Sequence, residues 1–185
     1  MIQKAEEFVK ESVKDYDESH DFSHAQRVVR NAFEIAEEED LDSTSLEIIH
    51  LASLLHDVDD HKYGNGGAVK KFLEKEQYEH AEVVLDIISK VSYSKEIKNP
   101  GQEMSIEAKI VQDADRLDAI GAIGIARCFV FTTIRKEKIY DAITHFYEKL
   151  LKLKGMMKTK KGRELAKLRH DLMVLFLREY KEEHL

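Results

Sequence analysis

The chain has 185 residues, of which 43% are hydrophobic and 35% charged, and its formal net charge is -7 at pH 7. This length is typical of one domain with a substantial core, so we predict a single domain over residues 1–185. The acidic balance argues against stable nucleic-acid binding, which normally needs a basic surface. No apolar run approaches the roughly 20 residues that span a bilayer, so no membrane association is expected.

Proline and cysteine are almost absent from the sequence. One proline and eight glycines favour long helices over a turn-rich β architecture, so the predicted fold class is all-α. The single cysteine, Cys128, excludes an intramolecular disulfide and suits a reducing compartment. The N-terminal residues carry charges where a signal peptide needs an apolar stretch. A cytoplasmic location is therefore expected.

Apolar residues recur with a helical period in nearly every segment, which predicts about seven to nine helices. Asp21 or Ser23 is expected to cap the second helix, and Thr44 or Ser45 the third. The predicted helices cover residues 2 to about 16, 21 or 23 to about 40, 44 or 45 to 57, 68–76, 78–92, about 105 to beyond 120, 138–154 and 159–183. Polar loops are predicted around 58–67 and 94–101.

His56 and Asp57 stand side by side at the end of an almost wholly apolar run, residues 48–57. An imidazole and a carboxylate are costly to bury unless something binds them. A divalent metal accounts for both side chains, because each is a common metal ligand when it is deprotonated. The pair therefore predicts part of a metal site.

His24 lies on the predicted second helix, one turn before the apolar Val28, so its imidazole shares the buried face of that helix. Taken alone, a histidine in such a position is more often a satisfied core residue than a ligand. The position of His24 alone therefore leaves both interpretations, core residue and metal ligand, open.

The predicted helix beyond residue 105 supplies further carboxylates. By the i, i+4, i+7 spacing, Val111, Asp115 and Asp118 share one face, whereas Asp113 points elsewhere. Asp115 is thus a candidate ligand that faces the core, with Asp118 one turn beyond it and behind the ligands. For an isolated segment, a solvated face paired with nearby basic residues is the alternative. A glycine pair after this segment is expected to mark a bend or close helix packing.

The order of these residues resembles the HD-domain phosphohydrolase superfamily, whose pattern is a histidine, a histidine–aspartate dyad and a later aspartate on separate helices. The resemblance is carried by the segments HAQRV (24–28), LLHD (54–57) and DADRL (113–117). More narrowly, SHDFSH (19–24) and QDADRLDAIGAIGIAR (112–127) are similar to the small bacterial YedJ/YpgQ-type branch. The resemblance covers roughly residues 17–127, and it implies one compact helical domain with a metal site between helices.

The resemblance implies a metal centre with four ligands, which are His24, His56, Asp57 and Asp115. Mixed imidazole and carboxylate donors suit one divalent transition metal, with Mn, Ni, Fe, Co and Zn as the candidates. These motifs contain no cysteine, which argues against a structural zinc site. Open coordination positions then imply hydrolysis, in which a metal-activated water attacks a phosphoryl group.

The polar loop after the dyad supplies the predicted helper groups. Asp60 stands three residues after Asp57, where some superfamily nucleotidases carry an acidic catalytic residue, and is the predicted general acid/base. His61 and Lys62 are predicted to contact the substrate phosphate, with solvated positions as the alternative. For Asp59 the structural interpretation, a polar loop residue, is preferred.

Two further residues near the second helix are predicted substrate contacts. His20 precedes the helix and can reach the mouth of the site. Arg27 lies one turn after His24, where it can bind phosphate or hold a metal-ligating carboxylate, and the second role is favoured. His80 is a weaker candidate for a second metal site, and one metal is the preferred interpretation.

The predicted partner is a small phosphorylated substrate, in particular a nucleotide, and the leading hypothesis is a metal-dependent phosphohydrolase. Within that class, the resemblance to the YedJ/YpgQ-type branch implies nucleoside triphosphate pyrophosphohydrolysis. The alternatives are a 5′-nucleotidase, a small phosphodiesterase, or a helical nucleotide-sensing module without catalysis. Substrate choice depends on side chains that no motif fixes. A monomer and a homodimer formed through the apolar C-terminal helix both agree with the sequence.

Overall fold

The computed structural model describes residues 1–14, 21–59 and 66–184. In this part of the chain every regular element is a helix, which confirms the predicted all-α class. The α-helices, numbered in chain order, are α1 Ile2–Ser12, α2 Phe22–Ala36, α3 Ser43–Leu55, α4 Ala68–Lys75, α5 Ala81–Val91, α6 Tyr93–Lys98, α7 Ile106–Asp118, α8 Gly121–Ile134, α9 Ile139–Glu148 and α10 Lys160–His184. A 3-10 helix, Leu150–Met156, lies between α9 and α10. The described residues thus contain more helices than predicted.

Carboxylate caps set the starts of the two helices that carry the histidines. Asp21 caps α2 as predicted, because its Oδ1 accepts a hydrogen bond from the His24 backbone at 3.1 Å. The prediction for α3 is wrong: Asp42, and neither Thr44 nor Ser45, is the cap, and its Oδ1 accepts from the Ser45 backbone at 2.7 Å. That hydrogen bond lowers the pKa of Asp42. A carboxylate also interacts favourably with the positive end of the helix dipole.

Three predicted boundaries differ from the structure. The α2 helix ends at Ala36, because the acidic residues 37–39 would meet the negative end of its dipole. The predicted loop 94–101 overlaps α6, which covers Tyr93–Lys98 and whose Glu96 pairs with Arg116 and Lys158 from distant parts of the chain. The predicted helix 138–154 changes to a 3-10 helix after Lys149. The ion pairs of Glu96, which local periodicity does not report, account for α6.

The helices that carry the candidate ligands form the centre of the fold. Along α3 every residue from 48 to 55 except His50 is buried, so this helix has an apolar surface on nearly all sides. The α2 and α7 helices pack against α3 and against each other, while α1 and α5 also contact α3. Among the described residues no single helix is long and apolar enough to cross a membrane, although the bent pair α7 and α8 together meets those criteria.

The predicted bend in the long helix is present, and it separates α7 from α8 by an angle of 67°. Gly121 has a φ of +78°, a left-handed conformation that favours glycine. A Cβ at Gly124 would lie 2.3 Å from the carbonyl oxygen of Ala119, so the backbone approaches too closely there for any side chain. Both glycines are required by the turn.

Candidate metal centre

Three mutually packed helices bring the four candidate ligands together. His24 lies in the first turn of α2, His56 follows the last residue of α3, and Asp115 lies on α7. The Nε2 atoms of His24 and His56 are 3.3 Å apart, and His24 Nε2 is 3.2 Å from Asp57 Oδ2. The fold therefore brings the side chains at the start of α2 and after the end of α3 into one cluster, although they are distant in the sequence.

Asp115 completes this cluster from the side of α7. Its Oδ1 lies 3.6 Å from the Nε2 atoms of both His24 and His56, and Asp57 Oδ1 lies 3.5 Å from His56 Nε2. Donor atoms in adjacent positions around one ion, each about 2.1 Å from it, stand about 3 Å apart. The donors therefore fit a single divalent cation. Among the described residues, His24, His56 and Asp57 form a group whose ligand atoms all lie within 4.8 Å of one another.

Each histidine uses one ring nitrogen to hold its orientation and presents the other to the cluster. His24 Nδ1–H donates to Asp118 Oδ2 at 2.7 Å, and His56 Nδ1–H donates to the carbonyl oxygen of Ser53 at 2.9 Å. In this tautomer Nε2 carries the lone pair that a metal needs. The donor set and its orientation therefore both suit a divalent metal.

The cluster is buried on its histidine side and accessible on its carboxylate side. The side chains of His24 and His56 are each 2% exposed, whereas those of Asp57 and Asp115 are 29% and 28% exposed. A metal held here can therefore be reached by a substrate from the direction of the carboxylates. This is the arrangement of a catalytic site, since a structural metal site is closed on all sides.

The electrostatics of the cluster favour a cation at its centre. Burial alone would lower the pKa of His56, but the charge of Asp57 and the hydrogen bond to Asp115 raise it to about 10. The same contact with His56 lowers the pKa of Asp115 against the effect of burial. A proton on His56 thus balances the carboxylates, and a divalent metal can take its place.

Asp118 lies behind His24 and is 2% exposed. It accepts hydrogen bonds from Arg27 Nε at 2.7 Å and Arg27 Nη2 at 3.1 Å. Arg127 Nη1 donates to the same carboxylate at 2.7 Å and to the Asp118 carbonyl oxygen at 3.2 Å. Burial raises the pKa of Asp118, but the hydrogen bonds from His24 and Arg27 outweigh it and lower the pKa well below its ordinary value.

The position of Arg27 modifies the role that the sequence suggests for it. The carboxylate that it holds is Asp118, which touches His24 and is not one of the four candidate ligands. Its Nη1 also donates to Ser23 Oγ at 3.2 Å. Arg127 was not among the predicted site residues, although the segment that resembles the YedJ/YpgQ-type branch ends on it. Direct contact of Arg27 with a substrate remains a prediction.

Four predicted site residues, His20, Asp60, His61 and Lys62, lie outside the described residues, so their roles remain predictions. The neighbouring Asp59 is described and holds the start of α4. Its Oδ1 accepts from the Ala68 backbone at 2.8 Å, and its Oδ2 from the Val69 backbone at 3.3 Å. These contacts agree with the structural interpretation of Asp59.

Asp113 points away from the cluster, as the helix spacing predicts. Its Oδ2 accepts from the Lys158 backbone at 2.9 Å and from the Thr159 backbone at 2.7 Å, so it holds the two residues that immediately precede α10. In the basic stretch 149–169, Lys158 pairs with Glu96. His80 packs edge-on against the ring of Tyr78.

The chain is similar in sequence and in structure to known proteins of one family. The HD domain family model matches residues 21–120. YpgQ of Bacillus subtilis (strain 168) is 38% identical over 187 residues, covering 95% of this chain and 90% of that protein. The crystal structure of Bacillus subtilis YpgQ in complex with ADP has a TM-score of 0.82 at 35% identity, covering 99% of this chain and 97% of that one. An HD-superfamily hydrolase from Bacillus thuringiensis has a TM-score of 0.78 at 37% identity, with 98% and 95% covered.

Proposed function

This chain belongs to the HD domain family and is a metal-dependent hydrolase, and we propose that it hydrolyses a phosphoryl bond of a nucleotide. Within that class, nucleoside triphosphate pyrophosphohydrolysis is the reaction proposed. The observation that carries the proposal is the convergence of two oriented Nε2 atoms and two carboxylates on one point, with donor separations of 3.2 to 3.6 Å. The accessible carboxylate side provides the approach for a substrate.

The proposed ligands are His24, His56, Asp57 and Asp115. A divalent metal supplies two kinds of chemistry when it is bound: it lowers the pKa of water and polarises a phosphoryl oxygen. The chain itself fixes both imidazoles through their Nδ1 atoms and keeps the histidine side of the site dry. Asp60 is proposed to move the proton of the attacking water or of the leaving group.

A nucleotide is proposed as the substrate for two reasons. The YpgQ structure, which is 35% identical over nearly the whole chain, holds ADP. A phosphate chain also carries the negative charge and the oxygen atoms that an open divalent metal site attracts. Mn²⁺, Fe²⁺, Co²⁺, Ni²⁺ and Zn²⁺ are the proposed metals, because imidazole and carboxylate donors suit all of them.

The test is an assay of metal-free protein reloaded with Mn²⁺, Fe²⁺, Co²⁺, Ni²⁺ or Zn²⁺ against a panel of nucleoside mono-, di- and triphosphates and cyclic nucleotides. Phosphate and pyrophosphate are measured separately. Release of pyrophosphate from a triphosphate supports the proposed reaction, whereas release of phosphate from a monophosphate indicates a 5′-nucleotidase. Cleavage of a cyclic nucleotide indicates a phosphodiesterase. No turnover of any nucleotide with any of these metals refutes the proposal and favours the sensing module.

Asp60→Ala tests the proposed proton transfer separately from metal binding. The variant is expected to retain its metal, because Asp60 is not a proposed ligand, and to lose about 100-fold or more in rate. Metal content by elemental analysis and kcat on the active nucleotide are the two measurements. Loss of the metal in this variant would reassign Asp60 as a ligand.

A further inference from the structure

The proposed ligand His24 is held by a hydrogen-bond network whose other members are not proposed metal ligands. The Asp118 carboxylate contacts His24 from α2 through Nδ1, and it receives further donors from Arg27 of α2 and Arg127 of α8. It is 2% exposed, so solvent does not compete for these contacts. The three donors occupy both carboxylate oxygens, which leaves the group little freedom to rotate.

The hydrogen bond from His24 has a definite chemical consequence. A neutral imidazole carries one proton, and a carboxylate at Nδ1 keeps that proton on Nδ1. Nε2 is then the basic nitrogen, and it is the atom that faces His56, Asp57 and Asp115. A carboxylate partner also makes the ring a better electron donor toward a metal.

The two arginines require an explanation, because they place positive charge near a cation-binding site. By simple Coulomb repulsion they weaken the binding of a divalent metal. Both arginines contact the Asp118 carboxylate, and a guanidinium holds a carboxylate in a defined geometry through two parallel hydrogen bonds. Arg27 makes such a paired contact with Nε and Nη2.

We propose that Asp118 is a positioning residue of the metal centre, and that Arg27 and Arg127 act through it to hold His24 in its metal-binding tautomer and orientation. This role rests on the metal site of the proposed function, but it does not depend on which phosphoryl bond is cleaved. It links α8 to the ligand on α2, although α8 carries no proposed ligand.

The test measures Mn²⁺ affinity by electron paramagnetic resonance of the free ion. Asp118→Asn is expected to bind Mn²⁺ about 10- to 100-fold more weakly, because a carboxamide can turn its N–H toward Nδ1 and move the imidazole proton to Nε2.

Arg127→Met distinguishes the positioning role of Arg127 from the effect of its charge on metal binding. If positioning dominates, this variant binds Mn²⁺ more weakly; if only charge matters, removal of a positive group makes binding tighter. Arg127→Lys keeps the charge without the planar fork and is expected to fall between Arg127→Met and the wild type.

Asp113→Asn is the matched control, because it alters a second buried carboxylate on α7 whose contacts go to the start of α10. It is expected to lower thermal stability and to keep the wild-type Mn²⁺ affinity. An equal loss of affinity in Asp113→Asn and Asp118→Asn would overturn the proposal, as would tighter Mn²⁺ binding by Arg127→Met. If Asp118→Asn does not fold, the Arg127 pair decides the question. Wild-type protein that binds Mn²⁺ but cleaves no nucleotide would refute only the proposed substrate.

Discussion

The two histidines of the metal centre have nearly the same surroundings but different partners behind them. His56 Nδ1–H donates to a backbone carbonyl, whereas His24 Nδ1–H donates to a buried carboxylate. Both rings thereby present Nε2, and Asp57 and Asp115 raise the pKa of His56 to about 10. A metal entering the cluster therefore competes with a proton for His56.

Metal affinity is accordingly expected to rise with pH. Binding requires neutral His56, and below its pKa of about 10 this residue is protonated in the metal-free protein. The apparent affinity should therefore increase about tenfold per pH unit between pH 6.5 and 8.5. Calorimetry in buffers of different ionisation enthalpy measures the affinity and the proton released together. A constant affinity over this range, with no proton release, would contradict the expected competition.

Asp57 and Asp59 provide a second comparison, because two carboxylates separated by one residue have different roles. Asp57→Ala removes a proposed ligand and is expected to abolish both metal retention and hydrolysis. Asp59→Ala removes the contacts that hold the start of α4, which should cost about 1 kcal/mol of stability without loss of metal. Elemental analysis after dialysis and urea unfolding distinguish the two variants. Metal-free Asp59→Ala protein would show that Asp59 supports the centre directly.

At the level of elements, the α7 helix connects several parts of the fold to the metal site. Its polar residues contact different partners. Asp113 holds α10, Asp115 faces the metal cluster, and Asp118 contacts α2. Arg116 bonds the Met156 carbonyl oxygen at 2.8 Å. All of these α7 residues lie in the segment 112–127, which carries the resemblance to the YedJ/YpgQ-type branch.

The close backbone approach at Gly124 makes a sharp prediction about the turn between α7 and α8. Gly124→Ala places a Cβ 2.3 Å from the Ala119 carbonyl oxygen, so the turn must move. We expect a loss of about 1 to 3 kcal/mol in the free energy of unfolding. We also expect weaker Mn²⁺ binding, because the shift separates Arg127 from Asp118. Urea unfolding of the metal-free protein gives the first quantity.

Gly155→Ala is the control for that variant, since a Cβ there meets nothing within 4 Å. It should change stability by about 0.5 kcal/mol or less. If Gly124→Ala proved as stable as Gly155→Ala, the close approach would not constrain the turn.

At the scale of the whole molecule, the sequence predicts the helical class and the clustering of the candidate ligands. The helical class follows from local periodicity. The set of four ligands is implied by the resemblance to the HD-domain superfamily, because spacing alone leaves a core histidine and a solvated aspartate face as alternatives. The existence of α6 and the contact of Asp113 with the residues before α10 depend on contacts between distant segments, which spacing does not report. Arg127 was missed for the same reason, because it reaches Asp118 only after the chain bends at Gly121.

The same long-range connections tie the C-terminal helix to the centre. Arg169 of α10 donates to the Leu117 carbonyl oxygen at 2.6 Å and to Asn31 Oδ1 at 2.9 Å. Asn31 in turn donates to the Ala114 carbonyl oxygen at 3.1 Å. The C-terminal helix is thus bonded to both α2 and α7, the helices that carry His24 and Asp115. A metal that joins α2, α3 and α7 should therefore stabilise α10 as well as the helices that carry its ligands.

Metal binding is expected to raise the melting temperature of the protein as a whole. A ligand that binds only the folded state at 100 times its Kd adds about 2.7 kcal/mol, which for a chain of this size corresponds to about 5 to 10 °C. Calorimetric scans with Mn²⁺ and with a chelator measure the difference. Asp57→Ala should show no such rise in melting temperature. Asp59→Ala should show the same rise as the wild type, although its metal-free melting temperature is lower. A shift of equal size in Asp57→Ala would mean that Mn²⁺ stabilises the protein at another place, because a cluster without this carboxylate has lost one of the four donors that join the three helices.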